Sequence, residues 1–259
     1  MQGYPVIVVL AALLMAGAPS LGAVKATTHV VQVDGLAATT ALVRAERRRG
    51  VRIVRVYRHA VTGFAARLRP GDVRRLRRAP RVVRVEPARP FRPSSEAVRL
   101  VTSTGLWGLD RIDQRGLPLD GRIITDGVGT GARVYVVDSG IRSAQQQFTG
   151  RLLPGFSSVG DGRGTEDCHG HGTRVSGVIG GAVTGVAPGA WLVPVRVVDC
   201  AGNGNTATLL AGLDWVVASH RSGEPAVANI SLVGPQSLVA NDAVQTVVDD
   251  GVAVAAAAG

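Results

Sequence analysis

The hydrophobic and polar positions of this chain fall into three regimes. An unbroken apolar run covers residues 6–18, and small residues follow it at Ser20-Leu21-Gly22-Ala23. Short patterned segments then run from Thr28 to Pro87. His29-Val30-Val31-Gln32-Val33 alternates as a strand, and 36–49 has the spacing of a helix that Gly50 closes. Over 51–56 arginine alternates with valine or isoleucine, the signature of a half-exposed strand. Residues 60–68 read as another strand with a turn or bulge at Thr62-Gly63. Pro70-Gly71-Asp72 opens a helix to Arg78, and 82–85 is a last strand. The order β-α-β-β-α-β predicts a small α+β, ferredoxin-like domain. Residues 87–93, with three prolines, read as a linker.

Few periodic runs follow until about Gly131, where strands and helices begin to alternate. Residues 133–137 form an apolar strand ending at Asp138, and 171–180 a helix of small residues. Strand 192–198, helix 205–219, strand 227–232, helix 238–250 and strand 252–258 complete the series. Such alternation predicts an α/β domain with a parallel sheet covered on both faces.

Charge separates the same regions. Seventeen arginines lie between Arg44 and Arg92, against Glu46, Asp72 and Glu86. From Ser95 onward fifteen acids face eleven bases. The basic block lacks an aromatic platform, and its arginines are interleaved with apolar residues, so it reads as the solvated face of a folded unit and not as a nucleic-acid surface. The apolar run 6–18 is short for a membrane span and fits a secretion signal cleaved near 22–26. The two cysteines, Cys168 and Cys200, suit one disulfide in an exported protein, worth about 3–4 kcal/mol in the chain-entropy model, or else two buried thiols.

The candidate chemistry sits at strand and helix ends. Asp138 closes an apolar strand in Val136-Val137-Asp138-Ser139-Gly140, the rim where parallel sheets place their sites. His171, in Asp167-Cys168-His169-Gly170-His171-Gly172-Thr173, opens a helix between two glycines that allow close backbone approach. A histidine held by a buried aspartate is a general base of fixed tautomer, and it calls for a hydroxyl nucleophile.

With these motifs in view the chain resembles the subtilisin-like serine proteases, in particular the proteinase-K-like group. Gly185-Val186-Ala187-Pro188, Val195-Arg196-Val197 and Asn229-Ile230-Ser231-Leu232 extend the resemblance from about Thr28 to the end. It implies a signal peptide (1–26), an inhibitory and folding-assisting pro-domain (27–93) and the N-terminal part of a parallel-sheet subtilisin-like catalytic domain (94–259). It implies that Asp138 orients and His171 is the base, with His169 at a variable position. Ser231, Leu232, Val233 and Gly234 would line the substrate peptide as an added strand. Val233 replaces the family's usual glycine and Arg174 a usual histidine. Asp110, Asp113, Gln114 and Asp120 resemble a structural calcium site made of hard oxygen donors, with Arg122 standing where a ligand is expected.

The resemblance also sets an expectation about what 259 residues hold. The family's oxyanion asparagine follows a strand like 252–259, and its serine lies further on in a Gly-Thr-Ser-type motif; neither occurs here. Ser139, Ser176, Ser222, Ser231 and Ser237 are assigned to packing, turn or substrate-strand roles. In subtilisin itself, losing an oxyanion donor costs roughly 10²–10³ in rate and losing the nucleophile about 10⁶ in kcat. The expectation is a secreted, monomeric endopeptidase precursor whose own pro-domain is its intramolecular inhibitor, inert as this polypeptide alone. It would act on peptide or protein substrates, without nucleic acid and without a membrane anchor after signal removal. The alternative is a remnant that only binds or inhibits proteases.

Overall fold

The computed structural model describes residues 25–93, 107–123 and 127–258. The run 6–18 expected to be a secretion signal lies outside them. The first unit comprises β1 (Thr27–Val33), α1 (Leu36–Arg48), β2 (Arg52–Tyr57), β3 (Gly63–Leu68), α2 (Pro70–Arg77) and β4 (Val82–Pro87). Its strands pair antiparallel in the order β2-β3-β1-β4, the ferredoxin-like arrangement. Strand alternation sorts the side chains. Val31, Val33, Phe64 and Leu68 meet Val43 and Leu76 of the two helices, and the opposite face presents Val30, Tyr57 and Ala65. Glu46 is buried between the helices, where the Arg75 guanidinium grips both its oxygens at 2.6 Å.

Residues 87–93 are not merely a linker. They contain β5 (Pro90–Pro93), a strand invisible to alternation because its partners are distant in sequence. Strand β3 also starts later than expected, at Gly63, where a Cβ would lie 2.2 Å from the Val31 carbonyl oxygen.

The second unit contains α3 (Trp107–Asp113), β6 (Arg133–Asp138), β7 (Phe156–Ser157), α4 (His171–Gly180), β8 (Trp191–Arg196), β9 (Gly204–Asn205), α5 (Thr206–Ser219), β10 (Ala226–Ile230), β11 (Leu232–Val233), α6 (Leu238–Asp249) and β12 (Ala253–Ala256). Five of its strands form a parallel sheet in the order β12-β10-β6-β8-β7. Both faces are buried. Val134, Val136 and Leu192 pack beneath α4 with Ile141 and Phe148; Tyr135, Val137, Val193 and Val195 meet α5 and α6 on the other side. Asn205 caps α5 by accepting the amides of Ala207 and Thr208 at 2.9 and 3.3 Å. Gly212 lets α5 settle on the sheet, since a Cβ there would meet Val197 at 2.6 Å.

The exposed-looking face of the first sheet is covered by α5 and α6, so one hydrophobic cluster runs through both units. The Tyr57 hydroxyl donates to the Ala207 carbonyl at 3.2 Å. One carboxylate oxygen of Asp214, on α5, accepts the successive amides of Arg58, His59 and Ala60 at 3.0, 2.5 and 2.9 Å. On α6, Asp242 accepts from Arg84 at 2.9 Å and Gln32 at 3.1 Å, and the cap residue Ser237 donates to Glu86 at 2.9 Å.

At the far ends of the same helices, His220 binds α5 to α6. Its side chain is 1% exposed, with Nδ1 2.8 Å from an Asp250 oxygen and Nε2 3.1 Å from the Glu224 carbonyl oxygen. Both neighbours are acceptors, so the imidazolium form, which donates from both nitrogens, is the one they favour. Burial alone would lower its pKa, but the Glu224 carbonyl and the Asp250 carboxylate outweigh that and raise it. The folded state therefore holds this proton more tightly than the unfolded chain does. The contribution is complete below about pH 6.5 and is lost as pH rises through the raised folded-state pKa. Thermal unfolding of wild type against His220→Gln should differ most at mildly acidic pH and converge at alkaline pH; a constant difference would contradict this.

Candidate active site

β6 carries Asp138 to the carboxyl rim of the sheet, and α4 begins there with His171. The Asp138 side chain is fully buried and that of His171 is 13% exposed. Nδ1 of His171 lies 2.9 Å from each Asp138 oxygen, and Oδ1 also accepts the Ser139 amide at 2.7 Å. This bond assigns the Nδ1 proton and makes Nε2 the nitrogen suited to take a proton from a substrate-side group. Asp138 and His171 thus lie within hydrogen-bonding reach of each other.

The approach is close because it passes over glycine. A Cβ on Gly172 would lie 2.3 Å from the Gly140 carbonyl oxygen and 3.1 Å from the Asp138 Cβ. Gly140 itself turns at φ +101°, with the Thr165 carbonyl oxygen 2.4 Å from where its Cβ would be. Asp167, one of the motif's residues given no role from sequence, is buried beneath this crossing and bonded to Ser139.

Beside the pair runs a three-stranded sheet, β11-β5-β9. β5 pairs antiparallel on both sides: Leu232 opposes Pro93, Val233 opposes Arg92, Phe91 opposes Gly204 and Pro90 opposes Asn205. Of the residues expected to line a substrate, Leu232 and Val233 therefore lie against a strand of the chain itself. Gly234 faces the buried Phe91 ring, where a Cβ would fall 2.3 Å from Cδ1. The Ser231 hydroxyl accepts from the Asn229 amide nitrogen at 2.9 Å. Three further serines have packing or capping roles: Ser139 donates to Asp167 at 2.9 Å, Ser176 to the Gly172 carbonyl at 2.7 Å, and Ser237 caps α6.

Cys168 and Cys200 form a disulfide, with Cα atoms 5.0 Å apart, that joins the histidine loop to the segment leading into β9. Against it lies the buried Arg196, opposite Asp138 in the sheet register. Its guanidinium forks onto Asp161 at 2.8 and 2.6 Å and touches the Cys168 sulfur at 3.2 Å. That guanidinium holds the Asp161 carboxyl well below the usual carboxylate range. Asp161 and the two sulfurs cluster as metal ligands do, but the sulfurs are consumed in the disulfide and a cation already occupies the position. Arg196 was visible only as part of a resembling strand; nothing local signals a buried arginine.

The calcium candidates occupy α3 and the turn after it. Asp110 is buried, accepts the Gly121 amide at 2.8 Å through Oδ2, and leaves Oδ1 buried without a hydrogen bond. Asp113 lies one turn on, Gln114 donates to the carbonyls of Gly116 and Pro118 at 2.9 and 3.0 Å, and Asp120 accepts the Arg122 amide at 2.9 Å. An orphaned buried carboxylate oxygen among other oxygen donors fits a hard cation.

An aspartate-held histidine on the rim of a parallel sheet is an arrangement that can act as a general base. Comparison with known proteins narrows this. Residues 129–259 match the subtilase family of peptidases and residues 6–93 match the peptidase inhibitor I9 family. The extracellular serine proteinase of Thermus sp. (strain Rt41A) is 43% identical over 243 residues, covering 93% of this chain and 57% of that protein. The alkaline serine exoprotease A of Vibrio alginolyticus is 44% identical over 211 residues, 81% of this chain and 39% of that protein. The crystal structure of a cold-adapted subtilisin-like serine proteinase superposes with a TM-score of 0.57 at 43% identity, over 61% of this chain and 57% of that one. This chain belongs to the subtilase family, with an I9-type inhibitor unit before its peptidase unit. It spans about half the length of the curated relatives it matches.

Gly172→Ala should cost about 1–3 kcal/mol, as overpacking does in a closed core, and push His171 off Asp138. Denaturant midpoints measure this, and an unchanged midpoint would contradict the close approach.

Proposed function

We propose that the chain is the precursor of an exported serine endopeptidase. The observation that carries this reading is the Asp138–His171 pair lying beside a cleft in which a peptide strand, β5, already sits. In the reaction, Nε2 of His171 takes the proton of a serine hydroxyl as that oxygen attacks a peptide carbonyl, and returns it to the leaving amine. Asp138 holds Nδ1–H and favours the imidazolium formed between the two transfers. The serine and the oxyanion asparagine that the family uses are not encoded in residues 1–259, so turnover is proposed for a protein that carries them and not for these residues alone.

Residues 1–26 are proposed as the secretion signal, 27–93 as the pro-domain and 94–259 as the N-terminal part of the catalytic domain. Among the described residues no helix is long and apolar enough to cross a membrane. Similarity to the extracellular serine proteinase of Thermus sp. supports export. β5 would block the cleft as a substrate-like strand between β9 and β11, with Ser231, Leu232, Val233 and Gly234 lining the peptide. Arg84 on Asp242, and the Arg55 guanidinium 5.7 Å from the Phe156 ring centre, support attraction between a basic pro-domain and its partner unit. Asp110, Asp113, Gln114 and Asp120 are proposed to hold a structural calcium ion, and the protein is proposed to act as a monomer. The occupied cleft also favours a second reading, in which the chain serves only as a protease-binding inhibitor.

A fluorophosphonate that labels activated serines tests both. A form containing the family's serine motif should be labelled, and His171→Ala should lower its kcat by about 10⁶. The 259-residue chain should take no label. A labelled adduct on the 259-residue chain would overturn its proposed inertness, and undiminished labelling of the His171→Ala protein would overturn the assignment of the base.

A further inference from the structure

We propose that Asp167 is a positioning residue for the reaction: its carboxylate fixes the backbone on both sides of His171 and so aims the imidazole at Asp138. The inference rests on the reading of His171 as the base. Asp167 is 4% exposed and receives five hydrogen bonds. Oδ1 accepts from the Ser139 hydroxyl at 2.9 Å and from the amides of His169 and Gly170 at 3.0 and 2.7 Å. Oδ2 accepts the amide and hydroxyl of Thr173 at 3.0 and 2.5 Å. The Ser139 hydroxyl, having donated to Asp167, accepts the Gly172 amide at 3.0 Å. Residues 169, 170, 172 and 173 are thus tied to one carboxylate, directly or through Ser139. His171 lies between these tied positions, and its Nδ1 meets Asp138, the immediate neighbour of Ser139.

The chemistry of the pocket demands an anion. Every group facing Asp167 is an N–H or O–H donor, so a carboxylate satisfies all five and an amide does not. Burial would raise the Asp167 pKa, but the bonds from Thr173, Gly170 and Ser139 outweigh it and lower the value. The anchor therefore stays charged throughout the neutral and mildly acidic range. Thr173 extends the brace by accepting the Arg142 amide at 3.1 Å, which ties down the turn that follows Gly140. The arrangement is a two-carboxylate unit: Asp138 holds the ring, and Asp167 holds the chain that carries the ring.

The test is imidazole NMR on the 259-residue chain, which requires no turnover. The Nδ1 proton of His171, bonded to Asp138, is followed for its exchange with water. The Nδ1 proton of His220, bonded to Asp250 far from this loop, is the internal control. Asp167→Asn should speed exchange at His171 by about tenfold, as losing one or two buried hydrogen bonds does, and leave His220 unchanged. Ser139→Ala, which removes only the relay to Gly172, should act in the same direction and carries the test if Asp167→Asn does not fold. Equal acceleration at both histidines would mean a general loss of stability and would overturn the positioning role. Unchanged exchange at His171 in Asp167→Asn, while Asp138→Asn abolishes the signal, would overturn the proposal and leave the base assignment standing. A His171 signal indifferent to Asp138→Asn would overturn the base assignment itself.

Discussion

Strand β5 is the interaction on which the arrangement of the molecule depends. β9 and β11 are two residues long and adjoin only through it. β5 joins these two short strands into one sheet, and each is anchored in turn by the element beside it, α5 for β9 and β10 for β11. Phe91 supplies the apolar part, buried against Gly234, and backbone pairing supplies the rest. The same segment tethers the ferredoxin-like unit, whose open sheet face would otherwise expose Val30, Tyr57 and Ala65 to water. α5 and α6 accept that face, and Asp214 collects three amides from one turn of it. Recognition by strand addition and recognition by a buried apolar face therefore act together, one specifying register and the other supplying area.

The rim chemistry obeys a different constraint, which is closeness. An imidazole can be held at 2.9 Å from a buried carboxylate only if its helix comes nearly into backbone contact with the strand. Gly172 and Gly140 permit the contact, and Asp167 satisfies the amides that it strands. Beneath, Arg196 and its fork onto Asp161 fill the space between the disulfide and the sheet. The site is a small polar core in which Arg196 pairs with Asp161 while hydroxyl and amide donors satisfy Asp167.

Much of this was legible in the chain. Alternation located the four strands of the first unit, and the apolar run ending at Asp138 located the sheet rim. The Gly-His-Gly motif singled out His171 because close approach leaves a glycine signature. Other features left none. β5 has no period of its own, since its partners lie more than a hundred residues away and its prolines suggest a linker. Buried Arg196 reads as an ordinary strand-edge charge until its carboxylate partner, thirty-five positions earlier, is brought beside it. Asp167 looks like a loop residue because the donors that define it belong mostly to the backbone, which sequence does not display. The oxygen-rich spacing that resembles a calcium site was legible, and Asp110 there keeps one buried oxygen without a hydrogen bond.

The chain's own segment 90–93 lies between β9 and β11 as a paired strand. Pro90 and Pro93 have no amide proton, so Phe91 and Arg92 report on β5 alone. Hydrogen exchange resolved at these two amides should show protection comparable to that of neighbouring β9 and β11. Exchange at the rate of a free peptide, in a protein whose β6 and β8 amides remain protected, would contradict it.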